Sequence, residues 1–126
     1  MDIDAFAKSF IEMFYTQYVF TETMEPRKGL GMFYRSNSTI AFEGQKFTGV
    51  EDIIEKYCNL PLMKFQPVTH DVQQTTGGGV MIAIVGGLMF EGNEHPQSFM
   101  HTFYLLPDGG QWYISNEVFR FIYPIA

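Results

Sequence analysis

The chain has a single cysteine, Cys58, in 126 residues, so no intrachain disulfide can staple it and its stability must come from packing. A lone thiol also fits a reducing compartment. Basic side chains are scarce: 8 Lys and Arg stand against 14 Asp and Glu, for a formal net charge of −6. Nucleic acid needs a basic face, so that charge balance excludes it as the main partner and favours basic protein surfaces. Long hydrophobic runs are missing as well. The longest, Val80 to Phe90, contains Gly86 and Gly87 and is too short to cross a bilayer. Asp2 and Asp4 occupy the place of the basic start of a secretory signal, so cytoplasm and nucleus are the expected compartments. His70, His95 and His101 show no ligand spacing and no cysteine partner, and no metal site or cofactor is expected. Gly77-Gly78-Gly79 lacks the lysine and the following helix of a phosphate loop and reads as a hairpin turn.

What is abundant is apolar and aromatic. Hydrophobic residues make up 46% and aromatics 17%, with 13 phenylalanines, in a length that suits one domain over residues 1–126. So bulky a core can line a cavity as well as fill one. The chain opens on helical periodicity: Phe6, Phe10, Met13, Phe14 and Gln17 recur at spacings of three and four, with Asp2 or Asp4 as N-cap. Pro26 suits the first turn of a second, short helix carrying Leu30, Met32, Phe33 and Tyr34. Thr39–Glu43 and Lys46–Thr48 read as a hairpin around Gly44. A third helix follows on Val50, Ile53, Ile54 and Tyr57, with Glu51 and Asp52 in its first turn, Lys56 near its last, and Leu60-Pro61 as its stop.

Beyond Pro61 the chain reads as four long strands, Met63–Gln74, Val80–Glu91, Gln97–Leu106 and Gln111–Tyr123, joined by turn-rich connections. Helices first and a meander afterwards make the class α+β with an antiparallel sheet. Both faces of that sheet are apolar. Val80, Ile82, Ile84, Leu88 and Phe90 share one face of their strand, and Met81, Ala83, Val85 and Met89 the other. In the last strand Phe119, Phe121 and Tyr123 oppose Trp112, Ile114, Val118 and Ile122. Three short helices cover one face only, and a second subunit is the economical cover for the other, giving a symmetric dimer. Arg120 and Glu117 are each read as members of cross-strand pairs, and His101 as a satisfied sheet residue.

One stretch concentrates the functional signal. Phe42-Glu43-Gly44-Gln45-Lys46-Phe47-Thr48-Gly49 sets a lone carboxylate, Glu43, at the end of an apolar strand beside an aromatic. Together with Ser9-Phe10-Ile11, Phe14-Tyr15, Arg27-Lys28-Gly29-Leu30-Gly31 and Tyr34, it carries a resemblance. Further on, Ile53, Glu55-Lys56, Leu60-Pro61, Lys64-Phe65-Gln66 and above all Asn116-Glu117-Val118-Phe119-Arg120 extend it to nearly the whole length. The chain resembles the nuclear transport factor 2 family.

The resemblance implies a curved sheet wrapped by three helices into a cone, paired with a second cone through the sheets, with Val118 at the dimer interface. It implies a non-enzymatic carrier that takes GDP-bound Ran into the nucleus and crosses the pore on phenylalanine-glycine repeats of nucleoporins. A Ran aromatic would enter the mouth, lined by Phe42, Leu60, Phe65 and Phe119, while the rim acids Glu43, Glu91 and Glu94 pair with basic residues. Ile3 and Phe6 would hold the nucleoporin repeats; familiar members often carry a tryptophan where this chain has Ile3. Phe65 replaces an aliphatic residue, the turn Glu91-Gly92-Asn93-Glu94-His95 holds fewer acids than usual, and a few residues are inserted around Val19–Met24. Two other readings keep the fold. One is an enzyme on an apolar small molecule, with Asp71, His101, Tyr15 and Tyr104 as candidate acids and bases. The other is the small subunit of a messenger-RNA export heterodimer.

Overall fold

A computed structural model describes residues 1–66, 68–92 and 95–123. Helix α1 spans Ile3–Glu12, and its N-cap is Asp2, whose carboxylate accepts from the Ala5 N–H. The helix does not simply continue. Met13–Val19 winds as a π-helical segment, which puts more residues into each turn and brings Phe14, Tyr15 and Val19 inward. Gln17, expected on the apolar stripe from a constant helical pitch, is therefore exposed. The second helix, Glu25–Phe33, is a 3-10 helix begun by Pro26. Helix α2 covers Val50–Cys58, as its spacing predicts, and buries Ile53 and Tyr57.

The sheet has seven strands: β1 (Thr39–Phe42), β2 (Gln45–Thr48), β3 (Met63–Phe65), β4 (Thr69–Gln74), β5 (Val80–Phe90), β6 (Gln97–Asp108) and β7 (Gln111–Phe121). Their order is β2-β1-β7-β6-β5, and β3 and β4 share the free edge of β5. The helices lie on one face. The cone-like α+β class expected from the sequence holds, with two corrections. The sheet is mixed, because β1 runs parallel to β7. The single strand expected over Met63–Gln74 is two, pairing with opposite halves of β5. The glycines in the middle of β5 explain the division. A Cβ on Gly86 would lie 2.4 Å from the Val68 side chain, so the crossing between β3 and β4 packs where β5 has no side chain.

A bulge corrects the expected faces of β7. Tyr104 pairs with Asn116 but Leu105 with Ile114, which leaves Ser115 as the extra residue. The phase flips there, so Ile114 faces the core with Glu117 and Phe119 instead of sharing a face with Val118. On the opposite, outer face Met81, Val85, Val118 and Ile122 are 41%, 51%, 44% and 43% exposed.

Rings dominate the core. Phe10, Phe14, Phe33 and Phe103 meet edge to face at centroid distances of 5.0–6.1 Å. Arg27 is fully buried, and among the described residues no carboxylate partners it. Its guanidinium donates to the carbonyls of Val19, Tyr57, Leu60 and Pro61. It thereby ties the end of the first helical segment to the end of α2, satisfying carbonyls that a helix terminus leaves open.

Candidate functional site

The site at the open end of the sheet is built on a two-residue hairpin. Glu43 and Gly44 join β1 to β2 with φ of 51° and 86°, the positive values that a type I′ turn demands at both positions. Glycine adopts this freely, whereas glutamate does so at a cost of roughly 1–2 kcal/mol. The carboxylate offsets it: Glu43 Oε1 accepts the N–H of Phe121 at the end of β7, while the Glu43 N–H donates to the Phe119 carbonyl. Glu43 is thus fastened across two strands and half buried, not simply solvated beside a turn.

Beneath it lie the expected mouth residues. Phe42 and Phe119 are buried and stacked, with centroids 4.5 Å apart and planes 5° from parallel. Lys56 Nζ sits 5.0 Å from the Phe42 centroid, a cation over an aromatic face. Leu60 and Phe65 are half buried on the far side, and Phe65 packs against Tyr15 and Phe20. Phe20 was not singled out in the sequence; it belongs to the inserted stretch and no helical or strand period reaches it. Glu91 lines a groove of about 500 Å³ together with Thr21, Glu22, Lys64 and Phe90. Glu94 lies outside the described residues.

Behind the rings is a closed polar cluster. Glu117 is buried and accepts from Tyr34 at 2.6 Å, from Tyr57, and from His101 Nε2 at 2.6 Å. A carboxylate only accepts, so Nε2 of His101 is the donor toward Glu117; with the proton placed there, Nδ1 accepts a hydrogen bond from the Tyr15 hydroxyl, 2.7 Å away. Glu117 thus reaches across the strands to His101, as a cross-strand partner should, while Arg120 is exposed on the opposite face of β7. His101 is a satisfied sheet residue, as expected. Burial first, and the Glu117 charge second, push the hydroxyls of Tyr15, Tyr34 and Tyr57 well above the ordinary tyrosine range.

The four candidates for acid–base chemistry are not gathered. Tyr15 and His101 are bonded in the core, but Asp71 is exposed opposite Ala83, and Tyr104 bonds Thr75 at the far hairpin. Among the described residues no His, Cys, Asp or Glu group could hold a metal. No helix is long and apolar enough to cross a membrane.

Ile3 and Phe6 lie at the other end of the molecule. Phe6 packs on Trp112 at 5.1 Å, and both line a pocket of about 590 Å³ with Phe10, Met13, Met32 and Phe33. Ile3 is half buried nearby on α1.

An α+β cone with an acid-edged, ring-lined end and an apolar outer sheet face defines the class of small transport-factor and cone-enzyme domains. Residues 6–121 match the family model of the nuclear transport factor 2 domain. The chain is 35% identical over 126 residues to nuclear transport factor 2 of Saccharomyces cerevisiae, covering 98% of this chain and 97% of that one. It superimposes on nuclear transport factor 2 of Cryptosporidium parvum with a TM-score of 0.82 at 27% identity, over 95% and 94% of the two chains. A structure of the Candida albicans Mtr2–Mex67 M domain complex matches at a TM-score of 0.78 and 14% identity, over 94% of each chain, and shares the fold alone. The chain belongs to the nuclear transport factor 2 family.

Proposed function

We propose that this chain is a non-enzymatic nuclear import carrier for GDP-bound Ran that crosses the pore on phenylalanine-glycine repeats of nucleoporins. The observation that carries the reading is Glu43, held in a strained turn by its own carboxylate directly above the Phe42–Phe119 stack. A charge fixed beside buried rings suits a partner that offers a basic residue next to an aromatic one. Glu43, Glu91 and Glu94 supply the rim, and Phe42, Leu60, Phe65 and Phe119 the ring site. Burying one aromatic ring contributes roughly 1.5–3 kcal/mol, enough to anchor a modest interface. Rim charges mainly add orientation and faster encounter.

Repeats are assigned to the Phe6 end, where Ile3 and Phe6 present an apolar surface that can act many times over. The outer sheet face, with Val118 at its centre, is assigned to a homodimer. In register, Ala41, Val118, Thr102 and Ala83 form an uncharged centre to a row that ends in Lys46 on β2 and Asp71 on β4. Traffic between cytoplasm and nucleus follows from this role. Capture of Ran loaded with GDP, compared with Ran loaded with GTP, tests the carrier: selective retention of the GDP form is expected, and equal or no retention overturns it. Light scattering tests the dimer, expected at about twice the 14.5 kDa chain mass.

A further inference from the structure

Phe20 stands one residue past the π-helical segment, in the connection to the 3-10 helix. Its backbone N–H is held by the Tyr15 carbonyl. Its ring lies 4.9 Å from Tyr15 and 5.3 Å from Phe65, and those two are 5.3 Å from each other, so the three close a triangle. Tyr15 is fully buried and fixed by its bond to His101. Phe65 is carried by β3, which is paired to β5. Phe20 differs in its support: residues 20–24 belong to no helix or strand. The contacts that flank it are the Thr21 hydroxyl to the Thr23 carbonyl and Arg27 to Val19 and Met24. Two walls of the triangle are rigid, and the third is a half-buried ring on an irregular connection.

We infer that Tyr15 and Phe65 form a site for a guest aromatic ring and that Phe20 is its built-in occupant, which swings out before a guest enters. The identity of the guest, an aromatic side chain of the carried protein, rests on the reading proposed above; the self-filled site does not. The physical consequence is a discount on affinity. A site open only part of the time binds with its intrinsic constant divided by the open fraction. Phe20 therefore sets how tightly this end holds a ring, and filling the site again on release keeps its apolar walls from water.

Toluene serves as a probe without reference to any partner. In Phe20→Ala the ring signals of Phe65 and Tyr15 are expected to titrate at toluene concentrations about ten-fold or more below those for the unaltered protein, as removal of a dominant occupant requires. Phe20→Leu, which refills part of the space, is expected between the two and carries the test if the alanine variant does not fold. In parallel, Phe20→Ala is expected to bind GDP-loaded Ran about ten-fold tighter, by the same release of occupancy. Equal toluene affinity in the unaltered and substituted proteins overturns the inference, as does a folded variant that takes up none. A toluene gain with no Ran binding in any form leaves the Phe20 site standing and removes the carrier reading.

Discussion

At one end of the curved sheet, Phe42, Phe119, Phe99, Tyr15, Phe65 and Phe20 make a continuous run of rings beneath a fixed carboxylate. At the other, Phe6 and Trp112 lean together and leave about 590 Å³ open beside them. The same residue type serves both ends, and what differs is the support. In the first set Phe42, Phe65, Phe99 and Phe119 hang on paired strands, with Glu43 clamped across β1 and β7. The second lines an opening between α1, the end of the 3-10 helix and the start of β7. A rigid, charged, ring-filled end can select one partner by shape and charge. An open apolar end with adaptable methionines suits weak, repeated contact. Between them lies the Glu117 cluster, whose Tyr57 ring meets Phe42 toward one end and Phe14, which packs on Phe33, toward the other.

The largest expected effect removes that shared floor. Glu117→Ala leaves Tyr34, Tyr57 and His101 buried without their acceptor and is expected to lower stability by about 3–5 kcal/mol. Urea unfolding measures it. If the two ends are separable modules, one binding activity survives the substitution; joint loss places the cluster beneath both.

Next comes Glu43→Lys. It removes the acceptor of the Phe121 N–H and sets a second cation near Arg120, whose guanidinium approaches the turn at Gly44. Ran-GDP binding is expected to fall by about 100-fold or more, comparable to truncating one partner of a buried charge pair. The lost hydrogen bond costs about 1–2 kcal/mol of stability, so the variant folds. Repeat binding at the Phe6 end is expected to stay unchanged; a parallel loss would make the two ends a single site.

How far these ends could be read in the sequence follows from how local each signal is. Helix α2 is legible because its period, acidic first turn and proline stop agree along one short stretch. The Phe42-Glu43-Gly44 turn is legible for the same reason. The face of Ile114 was not legible, because a bulge at Ser115 inverts the alternation and a one-residue slip moves the side chains on either side of it to opposite faces. The π-helical segment hid in a pattern that fits ordinary helical spacing until Gln17. The parallel β1–β7 pair is a long-range contact with no local signature. Phe20 escaped notice because an irregular segment has no period to betray an inward ring.

Alkali tests whether the two ends come apart as one. Tyr15, Tyr34 and Tyr57 hold their protons in the fold well beyond the ordinary value of 10.0, whereas the unfolded chain releases them near it. Above that pH the folded state binds more protons than the unfolded one. Stability is therefore full below pH 10.0 and declines as pH rises toward the folded values. Each tyrosine steepens the decline by up to about 1.4 kcal/mol per pH unit, and Tyr57→Phe is expected to remove one such share. Trp112 fluorescence reports the open end, and the ring NMR signals of Phe42 and Phe119 the ring-filled one. Coincident transitions mean a single cooperative unit, while an early change in either probe separates them.

Phe6→Ala is the mildest and most selective probe. Phe6 is only half buried, so truncation removes a partial ring contact with Trp112 and enlarges an opening that already exists. About 1 kcal/mol of repeat binding is expected to be lost, near five-fold in affinity for a single phenylalanine-glycine peptide. On a polymer of repeats the loss multiplies, because every engaged site contributes. Ran-GDP affinity should stay level, since no contact links Phe6 to the Phe42–Phe119 stack directly. Titration with a single-repeat peptide and with a multi-repeat fragment separates the per-site loss from its amplification. Unchanged binding of both would leave the open end without its assigned role, and the contrast between the ends would then rest on the ring-filled one alone.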